Sequence, residues 1–302
     1  TGIRQYESMP LYVRLGIHLL YVGPWKAKLL ETGILDAILE KETIRQGRYF
    51  DQPDSVKQIP SFIQTYQISL SEALLPKVED YHTFNEFFYR RLQPEARPIA
   101  SADDPVGLPT VCDSRLIVFP NVTAATKLWI KGANFSVEHL LQDKTMAAKF
   151  ADGPIAIFRL APQDYHRFHA PLAAICTFGK RIPGKYYTVN PLAINERIDV
   201  LTENARTVHA FTAKLTPDDA PFEFALVPVG AMMVGSILLT GATPGTKLDK
   251  GDELGYFAFG GSTVVAVFPP GSRVQFDADL LANSKLGVET LVRMGERIAV
   301  VQ

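Results

Sequence analysis

Two histidines stand three residues apart in Asp164-Tyr-His166-Arg-Phe-His169-Ala-Pro171, and a small hydroxyl residue follows two glycines in Gly260-Gly-Ser-Thr263. A serine hydroxyl is a weak nucleophile until a base takes its proton, and imidazole is the side chain that titrates nearest neutral pH. Ser262 together with a histidine therefore points to nucleophilic chemistry. Such chemistry calls for an acid that fixes the imidazole. Asp113, in Val111-Cys-Asp-Ser-Arg115 at the start of a predicted strand, is a candidate. The Gly-x-Ser-x-Gly elbow of ordinary hydrolases is absent, because Ser262 is followed by Thr263 and Val264. Blander readings fit the same residues. Gly260-Gly261 suits a tight turn, and His166 and His169 could satisfy buried backbone. A metal pair lacks support: no further cluster supplies the missing ligands, and no metal is expected.

The elements that would position these residues fall into two parts. Residues 1–95 read as helical. Leu11-Tyr-Val-Arg-Leu-Gly-Ile-His-Leu-Leu-Tyr-Val22 is apolar on most faces. It suits either a helix packed on the core or one lying in a lipid interface, with Tyr12, Tyr21 and Trp25 at headgroup depth. Lys26–Leu39 continues as helix, and Thr83–Leu92 opens with a capping Thr83 and Glu86 three residues on. From residue 96 to 302 the grammar changes to short β-branched runs divided by Gly, Pro and Asp. These runs are Leu116–Phe119, Ile155–Leu160, Ala173–Phe178, Glu223–Val229 and Val234–Leu239, with the pair around Phe257 and Val264 completing the set. Ser136–Leu141 reads as a short helix between strands. The runs on either side of Gly260-Gly261 are expected to be two strands joined as a hairpin. The expected fold class is α+β: a β-rich body of mostly antiparallel short strands with an N-terminal helical layer, in one large domain or two ordinary ones.

With 302 residues, 47% of them hydrophobic and 21% charged, the chain has ample apolar material for a core. A formal net charge of −1 gives no basic field for nucleic acid, and two cysteines, Cys112 and Cys176, make no disulfide framework. No run of about 18 apolar residues is present, so no spanning helix is expected. The sequence begins at Thr1 and shows no signal peptide.

Read together, Gly260–Thr263, Asp164–Pro171, Asn195–Asn204, Val229–Gly235 and Asp252–Phe257 resemble the phosphatidylserine decarboxylases, in order and over most of the chain. Thr83–Leu92 and Trp129-Ile-Lys-Gly132 fit the same pattern. The Gly-Gly-Ser-Thr form is most similar to the eukaryotic type II branch. Bacterial relatives usually carry Leu in place of Gly260, and commonly Asp-Gly in place of Asp113-Ser114.

The resemblance implies a single catalytic domain over residues 1–302, made as a self-cleaving proenzyme. Ser262 would attack the carbonyl of Gly261, His169 would take its proton, and Asp113 would orient the imidazolium. Elimination would then give a β chain, 1–261, and an α chain, 262–302, that stay associated. Ser262 would become a covalent pyruvoyl group, the cofactor and electron sink. His166 would promote decarboxylation or reprotonate the product carbon, and exchanged duties between the two histidines stay open. The substrate would be phosphatidylserine in a membrane, and the product phosphatidylethanolamine. Peripheral attachment to an endomembrane and a homodimer are implied in the same way. Two other readings remain: a decarboxylase of a free amino acid such as tryptophan on the same scaffold, and a non-catalytic lipid-binding relative.

Overall fold

The computed structural model describes residues 34–100, 102–130, 135–187, 199–216, 220–231, 237–258 and 262–302. The expected helix Leu11–Val22 and the Gly260-Gly261 pair lie outside them, as do parts of the Lys26, Trp129, Asn195 and Val229 segments. The described chain opens with helices α1 (Ile34–Phe50), α2 (Ile59–Tyr66) and α3 (Phe84–Phe88). The expected cap of α3 is present: Thr83 Oγ1 accepts from the Glu86 N–H at 3.1 Å. Glu86 reaches past the cap residue to the His82 N–H, at 2.6 Å. The helix stops at Phe88 and does not run to Leu92. There Leu92 forms an antiparallel bridge with Ala73, and the Leu74 N–H donates to Arg91 O. Ile59, Tyr81, Phe84, Phe87 and Phe88 form the apolar core of this layer.

The remainder is strand-rich. Eight strands build the main antiparallel sheet: β2 (Ser114–Phe119), β3 (Ile155–Leu160), β5 (Ala174–Ile182), β6 (Arg206–Ala213), β7 (Phe222–Gly230), β9 (Lys247–Leu248), β11 (Ser262–Val267) and β13 (Thr290–Val292). Across the sheet their order is β13-β2-β3-β11-β7-β6-β5-β9. Two three-stranded sheets accompany it. One joins β1 (Gly107–Pro109), β14 (Arg297–Val301) and β12 (Val274–Phe276); the other joins β4 (Arg167–His169), β10 (Glu253–Phe257) and β8 (Ile237–Leu239). The expected α+β architecture, β-rich and antiparallel, is the one observed.

Strand alternation sorts the core into two halves. Leu116, Val118, Phe158, Leu160, Val264 and Ala266 face one way, against Phe168, Leu254 and Phe257 of the smaller sheet. Ile117, Ile155, Ile157, Val265 and Val267 face the other way. There they meet helices α4 (Val122–Leu128), α5 (Val137–Leu141) and α6 (Lys144–Phe150). The expected helix at Ser136–Leu141 is α5, capped by Ser136 Oγ on the His139 N–H at 3.0 Å. With both faces covered, every residue of β11 is buried. A strand covered on both sides needs apolar residues at consecutive positions, which Val264–Val267 supplies.

The expected hairpin is corrected here. β10 and β11 do not pair with each other; they belong to different sheets, and residues 258–261 carry the chain between them. β11 instead pairs along its whole length with β3 and β7, and β10 pairs with β4 and β8. The physical reason lies in burial. β11 has its hydrogen-bonding capacity filled on both edges by strands distant in sequence. Gly255 lets the neighbours of β10 close in on it, since a Cβ there would collide with Leu238 O and the Phe168 ring.

Candidate active site

Ser262 is the first residue of β11, aligned with Leu160 on β3 and Gly230 on β7. By alternation it shares a face with Val264 and Ala266, the face covered by the β4–β10–β8 sheet. It is fully buried, and its Oγ has no hydrogen-bond partner among the described residues. A buried hydroxyl without a partner costs roughly 1–3 kcal/mol. Folded proteins tolerate such a group chiefly where it has work to do.

The strand that flanks Ser262 also delivers the histidines. β3 ends at Leu160, and the turn Ala161–Tyr165 leads directly into His166 and β4. Asp164 builds that turn: its Oδ2 accepts from the Ala161 N–H at 2.6 Å, and Arg115 Nη1 stands 3.6 Å away. Burial raises the Asp164 carboxyl to about 7, against the pull of Arg115 and the Ala161 N–H. His166 is wholly buried and adopts a left-handed backbone, φ 55. For a residue with a Cβ this conformation costs roughly 1–2 kcal/mol, and such strain concentrates at functional positions. Its Nδ1 lies 2.9 Å from Asp164 O, so Nδ1 carries the proton and donates it, leaving the lone pair on Nε2. Burial drives the His166 imidazole down to about 3, so it is a free base at neutral pH.

His169 is built the same way from a different carbonyl. Its Nδ1–H donates to Gly251 O at 2.9 Å, and its Nε2 is shielded from solvent without a partner among the described residues. Burial lowers its pKa, with the Gly251 carbonyl opposing that shift. The Tyr165 hydroxyl is likewise buried and unpartnered among the described residues, its ring 5.9 Å from that of His169.

Asp113 is brought close but is engaged elsewhere. The His169 N–H donates to Val111 O at 2.8 Å, which sets residues 111–113 alongside the histidine. Both Asp113 oxygens are held by Arg97, at 2.8 and 2.6 Å, and Oδ1 also accepts from the Met294 N–H at 2.8 Å. The planar guanidinium fork matches a carboxylate in a way imidazole cannot. The orienting bond expected from Asp113 is therefore made by Gly251 O; through space Glu253 and, more weakly, Asp113 favour the His169 imidazolium, against Arg167. Sequence reasoning missed Arg97 and Gly251. Arg97 lies in the Pro-rich connector, and a backbone acceptor leaves no side-chain signal.

Arg97 also donates to Glu72 at 2.9 Å, which Arg293 approaches from outside at 3.2 Å. The Arg97–Asp113 pair has 12% exposure on each side chain, whereas Arg293 is 62% exposed. Removing one partner of a buried pair strands the other charge. Arg97→Met is therefore expected to destabilise by about 3–5 kcal/mol, and Arg293→Met by less than about 1 kcal/mol. Thermal unfolding of the two variants checks this. Equal melting temperatures would show that Asp113 does not depend on Arg97.

The family model for phosphatidylserine decarboxylase matches residues 84–300. Phosphatidylserine decarboxylase proenzyme 3 of Schizosaccharomyces pombe is 47% identical over 301 residues, which is 99% of this chain and 30% of that protein. Phosphatidylserine decarboxylase proenzyme 2 of Oryza sativa is 44% identical over 292 residues, 95% of this chain and 45% of the relative. The proenzyme of Chlamydia trachomatis serovar L2 is 42% identical over 257 residues, 85% of this chain and 79% of its own length. The chain thus spans less than half of its yeast and plant relatives and most of the bacterial one. The family match takes in the serine, both histidines and the aspartate along with the sheets that carry them, and by that match the chain belongs to the phosphatidylserine decarboxylase family.

Proposed function

We propose that the chain is a self-processing decarboxylase that converts phosphatidylserine to phosphatidylethanolamine and CO₂. The observation that carries this reading is the buried Ser262 hydroxyl, without a partner among the described residues, at the head of a central strand whose face is covered by the layer that holds two buried histidines. In the first reaction Ser262 Oγ attacks the carbonyl carbon of Gly261. A C–O bond forms, the Gly261–Ser262 C–N bond breaks, and His169 Nε2 passes the hydroxyl proton to the departing amine. Asp113 favours the transient imidazolium through space. Loss of the Ser262 α-proton then expels the Gly261 carboxylate, and hydrolysis of the remaining enamine releases ammonia and leaves a pyruvoyl group.

The place fits that group. A small carbonyl-bearing terminus would replace a hydroxyl that has no partner among the described residues, on the sheet face covered by the layer that holds His166 and His169. The pyruvoyl group supplies a carbonyl that takes up the substrate amine, and an electron sink for the pair left when CO₂ departs. His166 Nε2 accepts the proton that the substrate ammonium must lose, and returns it to the product carbon. A positioned group of this kind contributes about 10²–10⁴-fold. The two pieces, 1–261 and 262–302, stay together because β11 is paired with both β3 and β7, and β14 with β1. Peripheral attachment to an endomembrane and a homodimer belong to the same proposal. Among the described residues no helix is long and apolar enough to cross a bilayer.

Vesicles of phosphatidylserine compared with free tryptophan test the substrate. CO₂ from the vesicles alone is expected. CO₂ from tryptophan alone would overturn the lipid reading, and an uncut chain releasing none from either would mark a non-catalytic lipid binder.

A further inference from the structure

The aromatic layer formed by α2 and α3 meets the site at Phe88 and the two residues after it. The Phe88 ring lies 3.9 Å, centroid to centroid, from the His166 imidazole, tilted by 32°. The residues that follow Phe88 grip the same segment. Tyr89 O accepts from Arg167 Nε at 2.9 Å, and Arg90 Nη2 donates to Gln163 O at 2.7 Å. Arg90 Nη1 also approaches Asp164 O, the carbonyl that fixes the His166 tautomer, at 3.5 Å. Three consecutive residues, 88–90, thus hold Gln163, Asp164, His166 and Arg167.

We propose that Phe88 and Arg90 are positioning residues for His166. Phe88 covers the imidazole face and keeps water from it. Arg90 fixes the 163–164 turn, so that Asp164 O meets Nδ1 and Nε2 is aimed consistently. This assigns the helical layer a part in decarboxylation: its aromatic core is the backing of a proton-transfer group. The left-handed backbone at His166 makes that backing necessary, because a strained residue stays in place only where its surroundings over-determine it. The inference rests on the role given to His166 above.

The groups that face His166 are Arg90 from the helical layer and Asp164, with Arg115 beside it, from its own turn. Water admitted at Phe88 makes the imidazole easier to protonate, so the acceptor is lost at a higher pH than in the parent chain. The self-processed full chain would be assayed on vesicles of phosphatidylserine and phosphatidylcholine. Phe88→Leu is expected to complete self-cleavage, as intact mass reports. Its kcat is expected to fall by about 10–100-fold, with the acid limb of the kcat profile moved up by about one pH unit. Phe88→Tyr keeps the ring face and is expected to restore most of both. Arg90→Lys, with one ammonium for two carbonyls, is expected to lower kcat in the same direction. Phe150→Leu, an equally buried core change on the far face of the large sheet, is expected to lower stability without moving the acid limb. If His166→Ala decarboxylates normally, the role of His166 fails and this inference with it. If His166→Ala is inactive while Phe88→Leu keeps the parental kcat and acid limb, or Phe150→Leu shifts them equally, the inference alone is overturned.

Discussion

Ser262→Ala is expected to yield a single uncut chain with no decarboxylation above background, because both proposed reactions depend on the Ser262 hydroxyl. In the proposed mechanism it is the nucleophile at the Gly261 carbonyl, and then the leaving oxygen of the elimination that makes the enamine from which the cofactor carbonyl arises. The change should be nearly free in stability. It deletes a buried hydroxyl without a partner among the described residues, and so removes a desolvation cost of roughly 1–3 kcal/mol while leaving β11 paired on both edges. A folded, slightly stabilised and wholly inactive chain is thus the expected outcome. Intact mass, thermal unfolding and CO₂ release read the three parts separately. Ser262→Thr and Ser262→Cys sharpen the result. Each retains a nucleophile at the same position, and the Ser262→Cys chain in particular should cleave slowly, since thioester formation needs only a thiolate and the same base. A Ser262→Ala chain that still divides at this bond would place the nucleophile elsewhere. One that stays whole but releases CO₂ would remove the pyruvoyl group from the mechanism.

The fold was legible where local chemistry fixes it and obscure where distant segments meet. Ile155–Leu160 could be read as a strand to the residue, and Thr83 announced a helix start through its side-chain oxygen. The relation of β10 to β11 could not be read from proximity. Two runs joined by glycines resemble a hairpin, yet the chain changes sheets there. One signal did exist: Val264–Val267 lacks the alternation of a half-exposed hairpin strand, which marks a strand buried on both faces with two neighbours to find. The site divides the same way. Ser262 and the histidines carry their chemistry in their side chains and stood out. The carbonyls of Gly251 and Asp164 that set both tautomers are backbone groups, which every residue has. The contacts of Phe88 with His166 and of Arg97 with Asp113 join segments with no shared periodicity, so only the tertiary structure brings them together.

His166→Ala is expected to cleave itself fully and then decarboxylate about 10²–10⁴-fold more slowly. The separation of the two steps follows from where each imidazole is anchored. His169 is held by Gly251 and lies beside residues 111–113, whereas His166 is held by its own turn and covered by Phe88. Loss of one therefore leaves the tautomer and placement of the other intact. Alanine leaves a hole under Phe88 and keeps a Cβ in left-handed backbone, so a fall in stability accompanies the loss of rate. His166→Asn controls for this. Asparagine tolerates the left-handed region and its side-chain amide can donate to Asp164 O, yet it has no lone pair basic enough to take a proton. Decarboxylation should be as slow in the Asn variant as in the Ala variant, with more of the stability kept. His169→Ala should behave in the opposite sense, remaining an uncut chain. If His166→Ala stayed uncut while His169→Ala processed normally, the two histidines would exchange roles, and Gly251 O would become the group that tunes decarboxylation.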